Sequence, residues 1–128
     1  MRQVLLIGLL PEVVDLSSFP DLTVEKLAAS LQAQEQSLCA LGFAARWVLV
    51  DLGETAEAVV RAALAAVDYD VVLVGAGVRT VPAYFLLFER LINVVHACAP
   101  TAKICFNTSP GDTQRAVLRW IAPPPSTQ

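Results

Sequence analysis

The chain has little of what metal, redox and nucleic-acid chemistry requires. Among its 128 residues there is one histidine, and the three cysteines, Cys39, Cys98 and Cys105, have no CxxC spacing. A lone histidine excludes a multi-histidine metal site within one chain and leaves few options for a general base. Unclustered cysteines, odd in number, read as reduced thiols acting as small core hydrophobes, which implies a cytoplasmic setting. None is expected beside a cation or a helix start that would stabilise a thiolate. Nine Lys and Arg against twelve Asp and Glu give a net charge of −3. The basic residues are scattered from Arg2 to Arg119, whereas nucleic-acid binding rests on clustered cations. No nucleic-acid partner is expected. The first apolar run is short and reads as a strand, so neither a secretory leader nor a membrane span is expected.

Phosphate motifs are missing in an informative way. There is no P-loop. A nicotinamide fingerprint needs G-x-G-x-x-G after the first strand and an acid after the second. Asp51 meets the second demand, but the first strand offers only Gly8. The hydroxyl-rich loop that flavodoxins carry after their first strand is absent. Gly75 stands where a response-regulator receiver would have its phosphoacceptor aspartate. No cofactor is expected.

What is abundant is apolar surface. The hydrophobic fraction is 55% and the mean hydropathy is +0.57, against about 45–50% apolar residues in an average globular domain. A chain of this length forms one domain and buries roughly two-thirds of the surface its unfolded form exposes. The surplus implies burial against another chain.

Apolar runs at Val4 to Leu9, around Trp47 to Val50, at Val71 to Val74 and from Lys103 to Asn107 read as four strands. Lacking alternation, they fit strands covered on both faces. Between them lie helical patterns from Thr23 to Gly42, from Glu54 through Val67, and over residues 82–98; a last helix starts at Ser109-Pro110-Gly111-Asp112, a capping tetrad. The alternation of strand and helix predicts an α/β fold: a three-layer sandwich around a four-stranded parallel sheet of order 2-1-3-4, with helices on both faces. The single domain is expected over residues 1–122, with residues 123–128 a frayed, proline-rich tail.

In that order the topological switch falls between the first and third strands, where the long connection Leu10 to Leu22 meets the Gly75-Ala76-Gly77-Val78-Arg79 loop. Gly75 and Gly77 as bare backbone, Arg79 as an anion clamp, and Asp51, Asn107, Thr108 and Asp15 around them form a candidate site for a small anionic metabolite. The alternative is structural: a tight turn at the glycines, Arg79 paired with a surface acid, and Asp51 starting a helix.

The apolar helix over residues 82–98 is the second candidate. Tyr84, Phe88, Leu91 and Val95 are expected to form a homodimer contact, or to dock another protein in a non-catalytic interaction module. Glu89, Asn93 and His96 make a polar seam on the same helix. It reads as solvent-facing or intersubunit, far from the strand ends.

The segments Leu49-Val50-Asp51-Leu52-Gly53-Glu54-Thr55, Val74-Gly75-Ala76-Gly77-Val78-Arg79, Leu87-Phe88-Glu89-Arg90-Leu91-Ile92-Asn93 and Ile104-Cys105-Phe106-Asn107-Thr108 together resemble an uncharacterised family of small bacterial single-domain α/β proteins. The resemblance spans most of the chain. It implies a Rossmann-like or flavodoxin-like fold and brings no activity or site residue with it.

Overall fold

The computed structural model describes residues 2–17 and 19–125. Strands and helices alternate: β1 (Gln3–Leu9), α1 (Val24–Ala40), β2 (Ala44–Val50), α2 (Ala56–Ala66), β3 (Val71–Val74), the single turn α3 (Ala76–Arg79), α4 (Phe85–Cys98), β4 (Lys103–Phe106) and α5 (Thr113–Leu118). The sheet order is β2-β1-β3-β4, with every pairing parallel. Val4 sits opposite both Ala45 and Val71, and Val71 opposite Lys103. This is the expected three-layer α/β sandwich.

Successive strand side chains point to opposite faces, and here both faces are apolar. Val4, Leu6, Val71, Leu73 and Cys105 turn toward Leu38 of α1 and Ala116 and Val117 of α5. Leu5, Ile7, Val72 and Val74 turn toward Val60 and Leu64 of α2 and Leu91 and Val95 of α4. The continuous apolar runs follow directly from this double burial.

Local signals set the helix limits. Thr23 caps α1 by accepting a hydrogen bond from the Lys26 amide. At the other end Gly42, at φ 98°, donates to the Cys39 carbonyl and the Phe43 amide donates to that of Leu38. This pair of reversed bonds is a Schellman stop, and Leu38 and Phe43 add its hydrophobic contact inside one core cluster. Ser109 and Asp112 form the reciprocal capping box before α5.

Three placements differ from expectation. The residues after β3 form a helical turn rather than an open loop. In residues 82–98 a 3-10 turn, Pro82–Tyr84, precedes α4. Leu91 and Val95, expected at an interface, are wholly buried in this chain's own core, because α4 must cover β3 and pack on α2. Tyr84 and Phe88 are half-buried at the edge of the same core. Within the expected tail, Pro123 and Pro125 are exposed, and Pro124 sits on Gly42, within 2.8 Å of where a Cβ would be. Residues 126–128 lie outside the described part.

Gly42→Ala forces a side chain into a positive-φ position against Pro124. It is expected to cost about 1–2 kcal/mol, read as a lower urea midpoint with unchanged m-value; an unshifted midpoint would refute the assigned stop.

Candidate ligand site at the strand ends

β1 and β3 are neighbours whose continuations leave toward opposite edges of the sheet, and a crevice opens at their carboxyl ends. The Gly75 amide extends the ladder by donating to the Ile7 carbonyl at 2.9 Å. A Cβ on Gly75 would lie 3.3 Å from that oxygen, a contact that the backbone could relieve only by giving a few tenths of an ångström.

A relay of side-chain amides closes one wall. The Ala76 amide donates to Asn107 Oδ1 at 2.8 Å, and Asn107 Nδ2 donates to Thr113 Oγ1 at 2.8 Å. The Thr113 hydroxyl donates to Gln34 Oε1, whose Nε2 donates back to the Ser30 carbonyl at 3.2 Å. Asn107, Thr113 and Gln34 are all buried. The relay thus links the end of β4 to α3, α5 and α1 and satisfies polar groups that would otherwise be stranded in the core.

The crevice holds a cavity of about 290 Å³. Its walls are mostly hydrocarbon: Leu9 from β1, Phe19 and Leu22 from the long connection, Leu27 and Leu31 from α1, and Trp47 from β2. Gly8, Gly75 and Gly77 contribute bare backbone. Trp47 is pinned by its indole N–H, which donates to the Leu31 carbonyl at 2.7 Å. Its ring crosses β1 above Gly8, where a Cβ would meet the ring at 2.9 Å. Gly8 is therefore the space that lets the indole lie flat beside the cavity.

Of the expected site residues, Gly75, Gly77 and Asn107 line this cavity. The others are engaged elsewhere. Arg79 Nη2 donates to the Asn107 carbonyl at 2.6 Å, and its guanidinium lies 5.5 Å from the centre of the Phe106 ring. The buried Arg79 Nε has no hydrogen-bond partner. Asp51 accepts from the Gly53 amide at 3.1 Å and the Thr55 hydroxyl at 2.7 Å, bracing the approach to α2. Thr108 donates through its amide and hydroxyl to Asp112. Asp15 accepts from the Ser17 amide at 2.9 Å. None of these four side chains lines the cavity.

Sequence reasoning missed Trp47, Phe19, Leu31 and Gln34. Gln34 left a readable signal, since it occupies a core position of the α1 stripe Leu27, Leu31, Leu38 and Leu41; a polar residue there needs buried partners. Phe19 left none, because an aromatic in a long connection has no periodicity to place it.

Three ionisable groups are displaced from their ordinary range. The Thr108 hydroxyl, with the Ser109 and Thr108 amides and Arg119, holds Asp112 below the usual carboxylate value. The Ser17 amide, then its hydroxyl, does the same for Asp15. Burial pushes the Cys105 thiol up from 9.0 to about 12, with Arg119 acting in the opposite direction. Among the described residues no group of three or more His, Cys, Asp or Glu side chains can hold a metal ion, and no helix is long and apolar enough to cross a membrane.

The chain matches no family model and no curated protein.

Two measurements check this description. Asn107→Ala leaves the Ala76 amide without its acceptor and the Thr113 hydroxyl without one of its partners, and is expected to destabilise the fold by about 1–3 kcal/mol; a neutral change in urea unfolding would show that the relay is not a tie. For Cys105 the folded state keeps a proton that the unfolded chain releases. Its contribution is complete below about pH 9 and is lost as pH rises toward about 12. Cys105→Ala should flatten the alkaline fall in the unfolding midpoint relative to the wild type, and an identical slope would contradict the shift.

Proposed function

We propose that the protein binds a small, largely apolar molecule in the cavity between β1 and β3. The observation that carries this reading is the composition of the wall. Six large hydrophobic side chains face the space, and the two polar side chains that reach it, Gln34 and Asn107, have their amides committed to the relay. Such a lining, concave and apolar with few polar groups, is the usual make-up of a small-molecule site.

The geometry favours an apolar body over the anionic metabolite expected from sequence. An anion at the head of α3 would need the Ala76 amide, and Asn107 Oδ1 already occupies it. It would also need Arg79, whose guanidinium is held against the Asn107 carbonyl and Phe106. The flat Trp47 indole and the bare Gly8 and Gly75 backbone suit a planar ligand sliding between α1 and the sheet. The reading is one of binding; among the described residues no side chain on the cavity wall is placed as an acid, base or nucleophile.

The experiment uses thermal unfolding and, in a Trp120→Phe background that leaves Trp47 as the reporter, tryptophan fluorescence, with toluene or p-xylene as aromatic probes and phosphate and citrate as anionic ones. A probe at a hundredfold excess over its Kd stabilises by about 2.7 kcal/mol. The aromatic probes are expected to raise the midpoint and shift the indole emission, and Leu31→Trp, which fills the cavity, should abolish both effects. Stabilisation by phosphate and citrate alone, lost in Arg79→Ala, would overturn this reading in favour of an anion site.

A further inference from the structure

We infer that a second copy of this chain docks on the outer stripe of α4, about a two-fold axis that crosses the two helices antiparallel near Ile92. At about 100° per residue, Phe85, Phe88, Glu89, Ile92, Asn93 and His96 fall along one side of the helix. The opposite side, with Leu87, Leu91, Val94 and Val95, is the part buried in the core. Phe85 is 57% exposed. Between the stripe and β4 runs an apolar groove of about 340 Å³, floored by Ile104 and Phe106. Contiguous apolar surface of this kind marks an interaction site more often than a scattered exposed residue does.

Strand addition is not what the groove fits. The Lys103 amide donates to the Asp70 carbonyl, so by alternation Ile104 and Phe106 present their backbone groups outward. Arg119 already donates to the Phe106 carbonyl at 2.8 Å, and exposed Lys103 adds a second cation to the edge. Charged side chains on an edge strand oppose further pairing. The helix stripe remains as the contact surface.

Donor and acceptor complementarity, a carboxylate against an imidazole N–H, selects the occupant. Glu89 and His96 are exposed and lie two turns apart on the stripe, with Asn93 between them donating to the Glu89 carbonyl. An antiparallel crossing near Ile92 sets Glu89 of each protomer opposite His96 of its partner, twice, while Ile92 meets Ile92 beside the groove and Phe85 lies over the last turn of the partner helix, near Ala99 and Pro100. A parallel crossing sets Glu89 against Glu89, which is repulsive. The stripe is thus self-complementary in one orientation, as a closed two-fold contact demands. Arg90 lies off the stripe, about 100° round the helix from Glu89. A dimer here also accounts for the high apolar fraction of the chain.

Sedimentation equilibrium of the full chain tests this. The expected mass is twice 13.7 kDa. Phe85→Asp, an exposed position, is expected to leave the circular dichroism spectrum unchanged and yield a monomer. His96→Glu places two carboxylates face to face and should weaken association about tenfold or more, while the exchange Glu89→Lys with His96→Glu should restore it. A wild-type chain that stays monomeric at its highest soluble concentration overturns the proposal. So does a dimer that is indifferent to Phe85→Asp, or one that His96→Glu weakens and the exchange fails to restore.

Discussion

The side chain of Asn107 is the tie on which the upper half of the fold depends. It stands one residue past β4, buried, and accepts from α3 while donating toward α5 and, through Thr113 and Gln34, toward α1. A parallel sheet leaves the carboxyl ends of its strands without neighbours of their own, because each chain departs there into a crossover. Without a polar bridge those ends would either fill with water or close on apolar side chains. The amide group supplies a donor and an acceptor on separate atoms, whereas an ionised carboxylate only accepts and a hydroxyl must do both from a single oxygen. It holds α3 down over β3, and thereby keeps the wall of the cavity formed by Gly75, Ala76 and Gly77 in place.

The same tie explains why Arg79 does not behave as a free cation. Strand alternation sends Phe106 toward α4 and Asn107 toward α1 and α5, and Arg79 crosses the junction between them. Its guanidinium meets the Asn107 carbonyl with one nitrogen and the face of Phe106 with its plane. Arginine tolerates this placement because its planar group is weakly hydrated and stacks on aromatic faces. The aromatic ring is in turn held edge-on by Phe88, 5.8 Å between centroids.

The sheet order and the layers were legible because they depend on patterns that burial imposes along the whole chain. Runs such as Val71 to Val74 have no polar position to place outward, so a strand covered on both faces is the arrangement they fit. Helix limits were legible where a residue has one conformational use, as at Gly42, or where a tetrad such as Ser109 to Asp112 satisfies its own amides. The crevice at the strand ends was legible, and the lining of its cavity was not. The switch point follows from topology, but the cavity's chemistry depends on which side chains turn inward from four separate elements. Trp47 and Gly8 come together only through the β1–β2 register, and Leu31 only through the packing of α1. The contacts of Arg79 were not legible for a physical reason: beside two glycines it has the composition of an anion loop, while the groups it touches lie 27 and 28 residues further along the chain.

The helix expected to make an interface divides its apolar residues between this chain's core and its surface. Periodicity shows that α4 is apolar over more of its circumference than one core contact requires, but not which part the core takes. Contact with α2 and the sheet takes Leu91 and Val95. What remains outward is the narrower stripe beginning at Phe85, bounded by Glu89, Asn93 and His96. A helix that served the core alone would gain solubility from charge on that side. Here Phe85, Phe88 and Ile92 continue an apolar floor supplied by Ile104 and Phe106, so the stripe and the edge strand form one surface. Because Phe106 belongs to that surface and Asn107 to the cavity wall, a two-residue segment at the end of β4 joins the two apolar regions of the molecule. Its backbone is fixed by Arg119 on one carbonyl and Arg79 on the next.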